Sequence, residues 1–127
     1  MEEDYGILLL TSNTSGSTSI RNNTDKLKMI LKAKGLKIDQ EIDGSDPENK
    51  EMRVLLFKVS ERGPVYPQVF KWSGCGESSD IQFVGTADDI FTWNENSTLP
   101  LEVLEEHPDI VTIERAFAGC FPLDKTR

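Results

Sequence analysis

A chain of 127 residues has room for one hydrophobic core and therefore for one domain. Its 22 acidic and 14 basic residues leave a formal charge of -8, a field that repels phosphate backbones and anionic lipid headgroups and argues against nucleic acid and membrane surfaces as partners. The apolar run nearest the start, residues 7–10, is too short for a signal-peptide core or a membrane span, so the expected location is the cytoplasm, and the sequons at Asn13, Asn22 and Asn96 read as chance triplets.

Four consecutive aliphatics in Gly6–Thr11 suit a strand buried on both faces at the centre of a sheet. The hydroxyl- and amide-rich stretch 12–19 suits a loop that caps the next helix. That helix keeps Ile20, Leu27, Ile30 and Leu31 on one face and stops at Gly35. Leu36, Ile38 and Ile42 then alternate with polar neighbours, as in a strand with one wetter face. A second helix opens either on a capping box from Ser45 to Glu48 or with Asp46 as cap and Pro47 in the first turn. Met52, Leu55, Leu56 and Val59 form its buried stripe, and Gly63-Pro64 is expected to end it.

Strands are predicted at Gln68–Trp72 and at 80–84, joined as an antiparallel hairpin by the Gly- and Ser-containing stretch 73–79. Thr86 and Asp89 have capping-box spacing before a helix containing Ile90, Phe91 and Trp93. Another helix is predicted to start at Thr98-Leu99-Pro100 and run through Glu106, because His107 precedes Pro108 and is biased out of helical geometry. The tail after Asp109 reads two ways, since Ile110, Ile113 and Phe117 have helical spacing while Val111-Thr112-Ile113 is β-branched, and helix is the reading preferred. The order is β-α-β-α-β-β-α with a helical C-terminal extension: an α/β protein with a four-stranded mixed sheet flanked by helices, in a single domain 1–127 whose core spans about 6–96 and whose extension spans about 98–127.

Three short motifs, in this order and spacing, carry a resemblance: Ser15-Gly16-Ser17-Thr18-Ser19-Ile20 after the first strand, Tyr66-Pro67-Gln68-Val69-Phe70 at the third, and Gly85-Thr86-Ala87-Asp88 after the fourth. Over about residues 6–96 the chain resembles the glutaredoxin branch of the thioredoxin fold, and more narrowly the SH3-domain-binding glutamic-acid-rich-like family. The resemblance implies a thioredoxin/glutaredoxin-like fold, a cis peptide before Pro67, and a groove lined by Ser15, Gly16, Ser17, Thr18, Tyr66, Pro67, Gly85, Thr86 and Asp88. In that groove Tyr66 offers backbone groups to an extended peptide or to glutathione, Gly85 and Thr86 present free N–H groups to a carboxylate, and Asp88 meets an amino group. Redox-active relatives hold a Cys-x-x-Cys pair in the first loop, where the helix N-terminus lowers the thiol pKa. Here residues 12–19 carry no sulfur, and a serine hydroxyl cannot form the mixed disulfide of thiol exchange.

The implied function is therefore a non-enzymatic adaptor that binds a protein or peptide, with no cofactor and no metal. Pro64-Val65-Tyr66-Pro67 meets the minimal P-x-x-P spacing but lacks flanking prolines, which argues against SH3 domains as partners. Two rival readings differ in class. Residues 14–18 between a strand and a helix also suit the phosphate loop of a flavodoxin-like, FMN-binding protein. Cys75, on an expected turn, suits a single-cysteine redox sensor, although Glu77 beside it disfavours a thiolate. Cys75 and Cys120 are too far apart in sequence for a Cys-x-x-Cys site, and the lone His107 reads as a surface residue. Trp72, Phe83, Phe91 and Trp93 are assigned to packing.

Overall fold

The structure, a computed structural model, describes residues 6–12, 18–63, 65–72 and 81–118. In chain order these form β1 Gly6–Thr11, α1 Thr18–Ala33, β2 Ile38–Asp43, a 3-10 turn Pro47–Asn49, α2 Lys50–Ser60, β3 Gln68–Trp72, β4 Ile81–Thr86, α3 Ala87–Asn96, α4 Leu101–Glu106 and α5 Ile113–Ala116. The result is a mixed α/β fold around one open four-stranded sheet of order β2-β1-β3-β4. β1 runs parallel to β2 and antiparallel to β3, which in turn is antiparallel to β4.

The aliphatic run in β1 is buried on both faces, and its alternation divides the interior. Ile7 and Leu9 face Leu27 and Leu31 of α1, Ile90 of α3 and Ile113 of α5. Leu8 and Leu10 face Leu56 of α2, Phe70 and Ile81. Helices α1, α3 and α5 thus cover one face and α2 the other.

Several boundaries differ from the sequence reading, each for a local reason. Asp46, not Ser45, caps the turn before α2: its carboxylate accepts from the Glu48 N–H at 3.0 Å with Pro47 in the first position, while Ser45 donates N–H and Oγ–H to Asp43 Oδ1 at 3.0 and 2.5 Å. The second helix ends at Ser60 rather than at Gly63, because Glu61 takes a left-handed φ of 58° and returns its N–H to the Phe57 carbonyl at 2.8 Å. The fourth strand continues to Thr86 rather than 84, since Gly85 and Thr86 still lie opposite Val69 and Gln68. Gly35, with φ 78°, closes α1 as expected.

In the C-terminal extension the helical spacing of Ile110, Ile113 and Phe117 yields only the short α5, entered through Thr112, whose Oγ1 accepts from the Arg115 N–H at 3.2 Å. The segment is nonetheless part of the core, with Ile113 fully buried and Phe117 nearly so. Arg115 spans the turn after α4: Nη2 donates to the Leu104 carbonyl at 2.7 Å, and Nη1 to those of His107 and Ile110 at 3.2 and 2.7 Å. A cation on carbonyls at a helix C-terminus is favourable both as a hydrogen bond and against the local dipole. On the other side of α5, Glu114 accepts from Lys34 Nζ at 2.9 Å and from Ser97 Oγ at 2.9 Å.

Partial burial draws the Glu114 carboxyl upward, but the Lys34 and Ser97 hydrogen bonds and the Lys34 charge outweigh it and hold the pKa below its ordinary value. A depressed pKa contributes stability that is complete above the ordinary glutamate range and is lost as pH falls through the folded value. Glu114→Gln is therefore expected to flatten the acid limb of urea midpoint against pH between about pH 6 and pH 3. The effect should be about 0.5 kcal/mol or less, because the side chain is 61% exposed. An acid limb as steep as that of the parent protein would show that Glu114 is not held by Lys34 and Ser97.

Candidate functional site

The strand registers bring three chain-distant segments to one end of the sheet. Leu10, near the end of β1, lies opposite Gln68 at the start of β3, and Gln68 lies opposite Thr86 at the end of β4. Thr11 pairs with Asp43 at the end of β2. Tyr66 and Pro67, Thr86 to Asp88, and the turn at Gly44 accordingly share that end of the sheet. Of the groove residues named from sequence, Tyr66, Pro67, Gly85, Thr86 and Asp88 are brought to this end of the sheet, and Thr18 is the first residue of α1. Ser15, Gly16 and Ser17, like Pro64, Cys75 and Cys120, lie outside the described residues.

The peptide bond between Tyr66 and Pro67 is cis, as the resemblance implies. Pro67 is buried and Tyr66 half-buried. The Tyr66 ring leans on α2, 5.8 Å from the Phe57 ring at 59°, and lies over Gly44. A Cβ on Gly44 would sit 3.0 Å from Tyr66 Oη and 3.3 Å from the Thr11 carbonyl. Helix α2 also secures that turn, because Arg53 Nη1 donates to the Gly44 carbonyl at 2.9 Å and Asn49 Nδ2 to the Asp43 carbonyl at 3.1 Å. Burial pushes the Tyr66 phenol above its ordinary pKa; the Arg53 guanidinium pulls the other way and the Asp43 carboxylate adds to the rise.

The buried side chain of Gln68 holds the approach to this segment. Its Nε2 donates to the carbonyls of Gly63 and Val65 at 3.0 and 2.8 Å, bridging the loop before Pro67. Sequence reading treated Gln68 only as a strand residue, and alternation gives no warning that an amide will be fully buried.

On the third segment the structure corrects one expectation. The Thr86 N–H is not free: it donates to Asp89 Oδ2 at 3.0 Å, in the capping box read from the Thr86 and Asp89 spacing. Arg62 Nη2 stands 3.9 Å from the same oxygen. Gly85 is a packing requirement, because a Cβ there would lie 2.8 Å from Trp93 Cη2 and 3.0 Å from Asp89 Cβ. Asp88 alone of this group is exposed. The aromatic assignments to packing agree with the contacts: Phe83 meets Phe70 edge-on at 5.6 Å, Lys26 sits 4.4 Å above Phe91, and Trp72 borders the α2-side core.

Among the described residues no cluster of His, Cys, Asp or Glu is placed to hold a metal, and no helix is long and apolar enough to cross a membrane. At this sheet end Pro67, Gly85 and Thr86 are buried, Tyr66 is half-buried and Asp88 is exposed.

The fold defines a class, a four-stranded mixed α/β domain with helices on both faces. Two solved structures are similar to it. Actin interacting protein 5 (Aip5, wild type) is 23% identical with a TM-score of 0.53, covering 75% of this chain and 88% of its own. The C. albicans actin interacting protein Aip5 is 22% identical with a TM-score of 0.54, covering 80% of this chain and 90% of its own. No protein-family model and no curated protein matches the chain. At these identities the likeness is one of fold.

Two substitutions test the construction of the site. Gly85→Ala is expected to destabilise the protein by about 1–3 kcal/mol through overpacking against Trp93 and Asp89, read as a lower urea midpoint; an unchanged midpoint would mean that the α3 contact yields freely. Gln68→Leu, which keeps the bulk but removes the two bonds to the loop, should cost about 1–3 kcal/mol and speed amide exchange around Val65 and Tyr66. Exchange unaltered there would remove Gln68 from the role of brace.

Proposed function

We propose that this chain is a non-catalytic protein-interaction module of the thioredoxin/glutaredoxin type, similar to the SH3-domain-binding glutamic-acid-rich-like proteins. It takes an extended segment of a partner at the sheet end formed by Thr18, Tyr66, Pro67, Thr86 and Asp88. The observation that supports this reading is the register Leu10, Gln68, Thr86, which brings the segments at Tyr66-Pro67 and Thr86 to Asp88 beside one another, with a cis peptide bond at the mouth of β3. The strand order and directions support the thioredoxin-type reading, and the absence of cysteine from residues 12–19 supports the non-catalytic one. The antiparallel pairing of β3 with β1 and β4 weighs against the flavodoxin-type alternative, whose sheet is built from parallel crossovers.

The two proteins of similar fold are described as actin-interacting, so actin is the first partner to test. Co-sedimentation with actin filaments is expected to retain the protein in the pellet, with loss on Tyr66→Ala. A 15N-resolved titration with an extended peptide, and separately with glutathione, should gather shifts at Thr18, Tyr66, Thr86 and Asp88. If neither the peptide nor glutathione moves those resonances and Tyr66→Ala leaves co-sedimentation unchanged, the sheet-end groove is not a binding site. Turnover in an insulin-reduction assay that Cys75→Ser abolishes would overturn the non-catalytic reading.

A further inference from the structure

The acidity of the chain is not evenly spread. Six of its fourteen basic residues, Arg21, Lys26, Lys28, Lys32, Lys34 and Lys37, fall within positions 21–37 beside a single acid, Asp25. That stretch carries +5, while the rest of the chain, with 8 basic and 21 acidic residues, carries -13. α1 sorts these charges by face. Arg21, Lys28 and Lys32, at i, i+7 and i+11, fall on one narrow stripe of the helix. Some are already engaged: Lys28 pairs with Glu41 at 2.8 Å, Lys34 with Glu114 at 2.9 Å, and Lys26 lies on Phe91. Lys32 and Lys37 are exposed and have no ion-pair partner among the described residues.

Lys28, Lys32 and Lys37 line a cleft of about 490 Å³ between α1 and the outer edge of β2, together with Leu36, Ile38, Asp39 and Glu41; Glu41 is taken up by Lys28, so that Lys32 and Lys37 outweigh Asp39 and the lining stays net positive. Nearby on α1, Met29 is 70% exposed. The cleft lies by the start of β1, since Ile38 is opposite Ile7, and so at the far end of the sheet from Tyr66 and Pro67. β2 is an edge strand, but its register with β1 skips Asp39, which forms a bulge, and the next edge residues are Gln40 and Glu41. A bulge and acidic side chains on an edge oppose backbone pairing with another strand. A ligand here is held by side chains.

We propose that this cleft docks an acidic segment of a partner protein, which lays carboxylates beside Lys32 and Lys37 and an apolar side chain against Leu36 and Ile38. Charge complementarity selects this occupant. A short acidic peptide stays inside the local positive field, whose reach is about 8 Å at physiological ionic strength. A nucleic acid strand or an anionic vesicle extends past the patch into the field of the remaining -13 and is repelled. The surface is separate from the sheet-end groove, and either can fail without the other.

The test uses the full chain and a fluorescein-labelled peptide of glutamates with one central leucine, followed by anisotropy. Saturable binding is expected, weakening steeply as salt rises from about 50 to 300 mM. The double variant Lys32→Glu/Lys37→Glu should lose at least about tenfold in affinity, a coupling that two reversed charges at a cleft can supply. Lys32→Gln/Lys37→Gln should show a smaller loss with an unaltered thermal melt. Lys50→Glu/Lys58→Glu, the same change in net charge on α2, should bind within about twofold of the parent. In the 15N-resolved titration the peptide should move Leu36, Lys37 and Ile38 and leave Tyr66 and Thr86 in place. Absence of saturable binding, an equal loss in both charge-reversal pairs, or tighter binding of a single-stranded oligonucleotide or a phosphatidylserine vesicle through the same lysines would each overturn the proposal. So would self-association that the Lys32→Glu/Lys37→Glu pair abolishes in place of peptide binding, which would make a second copy the occupant.

Discussion

The burial of β1 on both faces is the constraint from which the rest of the molecule follows. A strand of consecutive aliphatics cannot expose either side, so it requires a helical layer above and another below, and neighbours on both edges to take up its backbone groups. Ile7 and Leu9 draw α1, α3 and α5 to one side, while Leu8 and Leu10 draw α2 to the other. With β2 and β3 filling its two edges, β1 becomes the reference line against which every other element is registered. The C-terminal segment is held by the same requirement: Ile113 and Phe117 complete the cover over Ile7 and Leu9, and the polar contacts of Arg115 and Glu114 orient a segment that the core has already retained.

That registration also decides what the sheet end can do. Because β3 starts where β1 ends, the loop before Pro67 must arrive beside Thr11, Gly44 and Thr86. Each arrival is fastened from the protein side. Gln68 ties the loop, Arg53 and Asn49 tie the turn at Gly44, and Asp89 fills the Thr86 N–H that an external carboxylate could otherwise have used. The sheet end is thus braced from within the protein by named hydrogen bonds, with Gln68 Oε1 left buried and without a hydrogen-bond partner. The cleft by α1 has the opposite character: Lys32 and Lys37 have no ion-pair partner among the described residues, in a chain that is otherwise acidic. The two surfaces stand at opposite ends of β1 and rest on different physics, the first on backbone geometry and the second on charge.

Much of this was legible in the chain because it depends on local physics. The strand cores, the stripe of α2 and the Thr86 and Asp89 capping box are set by periodicities and spacings of a few residues, and the structure repeats them. Tyr66 and Pro67 stand out for the same reason, a proline at the mouth of a strand. Where boundaries slipped, a contact from elsewhere had intervened. β4 runs on to Thr86 because β3 is there to pair with it, and the tail helix shortens because Thr112 caps at the point where Ile113 must enter the core. The brace from Gln68 could not be read, since nothing in a strand pattern distinguishes a glutamine facing water from one spanning two loop carbonyls.

The amino-acid order alone determined the element sequence, the single aliphatic strand that must lie innermost, the missing sulfur in residues 12–19 and the net negative charge. All of these are properties of neighbours along the chain or of simple sums over it. Only the tertiary structure decided that Gly85 is a seat for Trp93, that Gly44 lies under Tyr66, that Asp89 claims the Thr86 N–H through a completed turn, and that three lysines, two aliphatics and two carboxylates line one cleft. The physical reason is the same in each case: these are contacts whose energies depend on distances of a few ångströms, and those distances do not exist until the sheet has set its register.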